Sequence, residues 1–308
     1  MRFPVLRGAA VVAVLASVTA SVPLEGVMPV EEAVPVPAAA PPAARTAEPE
    51  RAARTSFGAA ERKTFGAAER KRLSRALDRY LDGRAGRVSV AVRDLTTGLA
   101  FSYNTSLRPA TASIVKVNLV MALLLRAQRE RRRLSARERA LAGRAVRVSD
   151  NDAATALWNA VGGAAGLAAA NRKLGLRATA PDPGGAWGAT STSAADQVRL
   201  LRALTSDRSP LSARHRRYVL GLMKDVAPEQ AWGVSAAVGG TDVALKNGWL
   251  PRPRHGGRWT VNSVGRVRGD GHDYLIAVVS ERHASMGEGV KVVEKVAKTV
   301  TATLSRNS

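Results

Sequence analysis

Three short segments of this 308-residue chain carry side chains that could act together: Ser113-Ile114-Val115-Lys116, Ser149-Asp150-Asn151 and Lys246-Asn247-Gly248. A serine hydroxyl is a weak nucleophile at neutral pH and needs a base to take its proton. Ser113 and Lys116, three residues apart on a helix, share one face. The run that holds them, SIVKVNLVMALLL, is apolar almost throughout. An ammonium deprived of water there is costly, and its pKa falls toward values at which the amine accepts a proton. Taken alone, the Ser-x-x-Lys spacing fits better a helix start whose lysine reaches solvent. Ser149-Asp150-Asn151 precedes a helical pattern and could simply cap it. Lys246-Asn247-Gly248 lies in a strand-like run, VALKNGWL. A glycine there marks either close approach of a ligand to the backbone or an edge-strand kink with an exposed lysine.

Taken together and in this order, the three segments resemble the signature of penicillin-recognising serine enzymes, the class A β-lactamases and penicillin-binding proteins. The resemblance runs from about residue 72 to the C-terminus. It implies that Ser113 attacks a β-lactam or D-Ala-D-Ala-like carbonyl and that Lys116 accepts its proton. Ser149 then passes a proton to the leaving nitrogen. Asn151 orients Lys116 and binds the substrate amide, Asp150 holds its loop, and Lys246 binds the substrate carboxylate with Asn247 and Gly248. The N–H groups of Ser113 and Trp249 make the oxyanion hole. No cofactor or metal is implied.

The chain also departs from the family pattern. Asn247 stands where the family has Thr or Ser, so carboxylate recognition is expected to differ. The interval from Ser113 to Ser149 is shorter than in typical class A enzymes, which implies a trimmed helical region. The family's deacylating glutamate belongs to a loop after the second motif. The corresponding stretch, GLRATAPDPGGAWGATSTSAADQ, contains no Glu. Asp182, between Pro181 and Pro183, reads as a turn residue. Ready acylation with slow turnover is therefore expected. A D-alanyl-D-alanine peptidase that β-lactams inhibit, and a binding or sensing protein that does not turn over, remain open.

Several elements must position these groups. AAERKRLSRALDRYLDGR reads as a helix with Leu73, Leu77 and Leu81 on one stripe. RVSVAV and LAFSYN read as a hairpin around Thr97-Gly98. A helical block runs from Ser113 to about Leu222, followed by three strands (DVALKNGWL, GRWTVNSVGRVRG, DYLIAVVSE) and a final helix, EGVKVVEKVAKTVTATL. The expected fold is α/β of the α+β type. It is a five-stranded antiparallel sheet flanked by terminal helices, with an inserted all-helical part, and it is β-lactamase/transpeptidase-like. The sheet part spans about 72–112 and 235–308, and the helical part about 113–234.

At the N-terminus, Arg2 and Arg7 precede an apolar stretch from Gly8 to Val18. Val18-Thr19-Ala20 offers a cleavage site, so residues 1–20 are expected to be a signal peptide. Residues 21–71 read as a Pro/Ala-rich linker ending in a tandem FGAAERK repeat. With no cysteine in the chain, disulfides and an anchor on a lipidated cysteine are excluded. The product is expected outside the cell or at the envelope, without a stable membrane span. The net charge of +22 and the clusters RAQRERRRLSARER and ARHRRYV suggest contact with an anionic wall polymer or a merely solvated face. Aromatics are not interleaved with these clusters, so nucleic acid is not expected as a partner. His215, His255, His272 and His283 show no metal-ligand spacing and are expected at the surface. Arg268-Gly269-Asp270 is expected in a tight turn.

Overall fold

The computed structural model describes residues 65–307. The expected signal segment and most of the expected linker lie outside the described residues. The chain forms α1 (Ala67–Leu81), then a hairpin of β1 (Arg87–Asp94) and β2 (Ala100–Tyr103). A helical block follows: α2 (Val115–Arg129), α3 (Ala136–Arg147), α4 (Asn151–Ala160), α5 (Gly163–Lys173), α6 (Ala194–Thr205) and α7 (Ala213–Lys224). Strands β3 (Asp242–Pro251), β4 (Trp259–Gly269) and β5 (His272–Glu281) lead to α8 (Met286–Ser305). The α+β architecture read from the sequence is the one observed. The order of the five antiparallel strands is β2-β1-β5-β4-β3, so the N-terminal hairpin joins the C-terminal strands through β1 against β5.

Strand side chains alternate between faces, and each face has its own core. On β5, Tyr274, Ile276 and Val278 pack with α1 and α8, while Leu275, Ala277 and Val279 pack with the helical block. α8 buries Val292, Val293, Val296, Ala297, Val300 and Leu304, an i, i+3/i+4 stripe against the sheet. α2 is buried from Val115 to Leu125, on every side, which marks it as the central helix of its layer. The β4–β5 hairpin turns on Asp270-Gly271, both with positive φ (47° and 79°), as its expected tight turn requires.

Three details differ from expectation. α1 begins before residue 72, and Phe65 is buried edge-on against Phe101 at 6.1 Å, so the second FGAAERK copy is part of the folded body. α5 has no counterpart among the helices singled out in the sequence, because its Ala-rich run shows only a weak apolar stripe. His283 is fully buried rather than at the surface, and its Nε2 lies 2.8 Å from Ser280 Oγ.

Candidate active site

The helical block meets the sheet at β3, the edge strand, and the three sequence segments converge there. Ser113 sits on a 3₁₀ turn over Ala112–Ile114 that runs directly into α2. Ala112 has φ +48°, a left-handed conformation in which a residue with a Cβ is strained. That turn lies almost on the backbone of β3. A Cβ added to Gly248 would stand 2.6 Å from Ser113 N and 2.7 Å from Ile114 N. Only glycine permits this approach, so it is the turn carrying Ser113 that closes on Gly248, where the sequence suggested a ligand or an edge-strand kink. Ser113 is half-buried and lines a cleft of about 500 Å³ with Ser149, Asn151, Trp187, Gln230, Trp249 and Arg252. Its Oγ makes no hydrogen bond among the described residues.

Lys116 is fully buried one turn further along. Its Nζ donates to Ser149 O (2.6 Å), Asn151 Oδ1 (2.8 Å) and Ser149 Oγ (3.2 Å). It also stands 5.0 Å from the centre of the Trp187 ring. Burial lowers its pKa to about 8, against the opposing pull of Asp150. Lys246, also fully buried, donates to Ser149 Oγ (3.0 Å) and to Asn247 O (2.9 Å). Burial and the nearby Lys116 charge lower its pKa to about 7. One hydroxyl, Ser149 Oγ, thus bridges two amines that both titrate near neutrality.

The loop before α4 is held to present this hydroxyl. Ser149 has φ +58°. Asp150 caps α4 by accepting from Ala153 N (2.7 Å) and pairs with Arg144 (2.6 Å), the loop-holding task expected of it. Asn151, the first residue of α4, turns its carbonyl oxygen to Lys116.

Asn247 is placed differently from the substrate-binding position expected of it. Alternation along β3 sets its side chain opposite that of Lys246. It is fully buried, and its Nδ2 donates to Gln230 O (2.7 Å) and Trp232 O (2.9 Å). The side chain therefore fastens the segment that carries Gln230 to the cleft wall. Trp249 lines the cleft, and as part of an edge strand it lies where alternate N–H groups have no neighbouring strand.

The loop between α5 and α6 supplies the opposite wall through Ala186–Ala189. Asp182 holds a turn within it: its carbonyl oxygen accepts from Gly185 N at 3.1 Å. No Asp or Glu lines the cleft among the described residues. The acid that matters to this loop is Asp196, buried in α6. Its carboxylate accepts from Arg177 N, Ala178 N, Thr179 Oγ1 and Arg199 at 2.6–3.1 Å. Burial pushes its pKa up, but these hydrogen bonds outweigh it and hold the group below its ordinary value.

Trp187, Gln230 and Arg252 are cleft residues that the sequence reading did not single out. Gln230 Oε1 and Arg252 Nε are buried polar atoms without partners among the described residues. A tryptophan inside the glycine-rich GGAWG was the one available signal. Gln230 and Arg252 lie in segments that read as plain loops.

Comparison with known proteins adds to this geometry. The model of the β-lactamase enzyme family matches residues 72–139 and 133–304. A Mycobacterium tuberculosis protein named "Putative lipoprotein LppW" is 27% identical over 219 residues, 69% of each chain. A TLA-1 extended-spectrum β-lactamase variant superposes with TM-score 0.68 at 18% identity, covering 77% of this chain and 99% of that one. A PBP-A variant, solved as its acyl-enzyme with penicillin G, gives TM-score 0.65 at 18% identity over 77% and 97%. With its family model spanning most of the chain and its fold that of the class A enzymes, this protein belongs to the β-lactamase enzyme family.

Proposed function

We propose that this chain is an exported serine acyl-transfer enzyme in which Ser113 is acylated by β-lactams or related amides and deacylates slowly. The observation that carries this reading is the Lys116–Ser149–Lys246 hydrogen-bond network, whose Lys116 lies one helical turn from Ser113 and whose Ser149 lines the same cleft as Ser113. Neutral Lys116 takes the Ser113 proton as Oγ bonds to the carbonyl carbon. The N–H groups of Ser113 and Trp249 receive the oxyanion. When the intermediate collapses, the C–N bond breaks and Ser149 gives its proton to the departing nitrogen. Ser149 is reprotonated by Lys116, the partner 3.2 Å away that took the first proton. Lys246 and Arg252 attract the substrate carboxylate, while Gln230 offers its side-chain amide. Asn247 acts by holding Gln230 in place.

Release of the acyl group needs a water activated by a base. With no carboxylate lining the cleft among the described residues, the ester is long-lived. That absence also favours a second reading, a D-alanyl-D-alanine peptidase acting on wall peptides. Export is supported by the apolar N-terminal run and by a relative whose name includes "lipoprotein". The test is mass spectrometry after exposure to benzylpenicillin, followed over time. A covalent adduct on the Ser113 peptide that persists for minutes or longer is expected, and its absence between about pH 6 and 9 would sink the proposal. Nitrocefin turnover set against release of D-alanine from a peptide separates the two readings.

A further inference from the structure

The two arginine-rich clusters of the sequence, 126–139 and 213–219, come together in space although about 80 residues separate them. Gln128 joins them. Its Nε2 donates to Pro210 O (3.0 Å), and its Oε1 accepts from Ser212 N (2.9 Å) and lies 2.6 Å from His215 Nδ1. Tyr218 OH reaches Arg139 O at 3.4 Å. Between the end of α2 and the first turns of α3 and α7 this closure leaves a pocket of about 360 Å³. It shares no lining residue with the cleft at Ser113.

Its chemistry is two-sided. Leu124 and Leu134 are buried and, with half-buried Tyr218, supply an apolar floor. The rim is cationic. Arg132 is neutralised by Glu130 (2.7 Å) and Glu138 (2.8 Å), and Arg139 donates to Leu134 O. The guanidinium groups of Arg131, Arg133 and Arg214 have no ion pair or hydrogen bond among the described residues. Like charges gathered without counter-charges repel one another, and an anion seated among them removes that cost. The guanidinium fork matches phosphate oxygens. The basic groove between α1 and α8 is lined in part by Glu69 and makes a weaker case.

We propose that this pocket is a second binding site, specific for an organic phosphate. Arg131, Arg133 and Arg214 hold the phosphate, and its apolar body lies on Leu124, Leu134 and Tyr218. The site stands apart from the acylation chemistry and does not depend on it.

Titration calorimetry of the intact protein with hexyl phosphate tests this. Saturable one-to-one binding is expected, at least ~10-fold weaker in R133A/R214A because two charge-assisted contacts are lost. R172A/R202A removes the same net charge from exposed positions outside the pocket and should bind like the wild type. Equal weakening in both double variants would reduce the effect to net charge and overturn the site. No saturable binding, or inorganic phosphate binding as tightly as hexyl phosphate, would overturn it too. Thermal unfolding of each variant verifies folding. Flotation with phosphatidylglycerol vesicles identifies the source. Wild-type protein carried by vesicles and R133A/R214A left behind assigns a lipid headgroup. Binding of hexyl phosphate without vesicle binding assigns a soluble organic phosphate. Both results uphold the site.

Discussion

Two amines share one hydroxyl at the centre of this protein, and their titration sets what each residue can do. Lys116 acts as a base only when neutral. With its pKa lowered to about 8 by burial, the acylation rate at saturating substrate should rise with pH through that value and level off above it, Lys246 then acting on the substrate carboxylate as a neutral hydrogen-bond donor beside the charged Arg252. Stopped-flow acylation across the range checks this, and a flat profile would remove Lys116 as the base. Lys246 gives a second prediction. Its folded pKa is about 7 against 10.5 for the free side chain. Between those values the unfolded chain binds a proton that the folded chain does not, so stability climbs with pH across the window. Lys246→Met removes a buried ammonium and should stabilise the protein by about 1–3 kcal/mol at pH 6. The gain should vanish near pH 10, where the lysine is neutral, and acylation should fall at every pH. Thermal unfolding at the two pH values reads the difference.

At the scale of elements, the site depends on how closely β3 meets the turn before α2. Gly248→Ala places a Cβ 2.6 Å from Ser113 N. The turn must shift, and displacements near 1 Å at a reacting group cost about 100-fold in rate. Acylation should fall by at least that factor, while stability drops by only about 1–3 kcal/mol. Labelling kinetics and denaturant unfolding together distinguish this from global damage. The loop bearing Trp187 depends on Asp196 in the same way. Asp196→Ala leaves the N–H groups of Arg177 and Ala178 and the Thr179 hydroxyl without their acceptor. A loss of about 2–4 kcal/mol follows, together with faster amide exchange in the loop. In the wild type this contribution is present above the ordinary carboxylate pKa of 3.8 and is lost as pH falls below it, because the folded value is lowered.

For the molecule as a whole, 47 Lys and Arg residues face 25 Asp and Glu, so charge repulsion opposes compaction. Raising ionic strength from about 10 mM to 150 mM, which shortens the screening length to roughly 8 Å, should raise the thermal midpoint by a few degrees. A midpoint that falls with salt would mean that favourable ion pairs dominate instead. The two cores on opposite faces of the sheet share β5, whose residues alternate between them. β3, the edge at which the cleft forms, is held in the same way, with Ala244 in one core and Leu245 in the other.

Much of this was legible in the residues themselves. Period-2 and helical patterns fixed the strands and most helices, and the apolar run around Lys116 announced a desolvated amine. Gly248 signalled a close approach to the backbone or a kink, and the Asp182 prolines announced a turn, because each of these follows from local backbone and solvation physics. Other features are properties of packing between distant segments. No local rule brings Lys246 onto the same hydroxyl as Lys116 or turns Asn247 away from Lys246 toward the Gln230 carbonyl. The same holds for Trp187 over the Lys116 amine and for the two arginine clusters closing around one apolar hollow. Sequence determined which groups were chemically capable; tertiary structure decided which of them meet, because distance and exclusion of water exist only once the chain has folded.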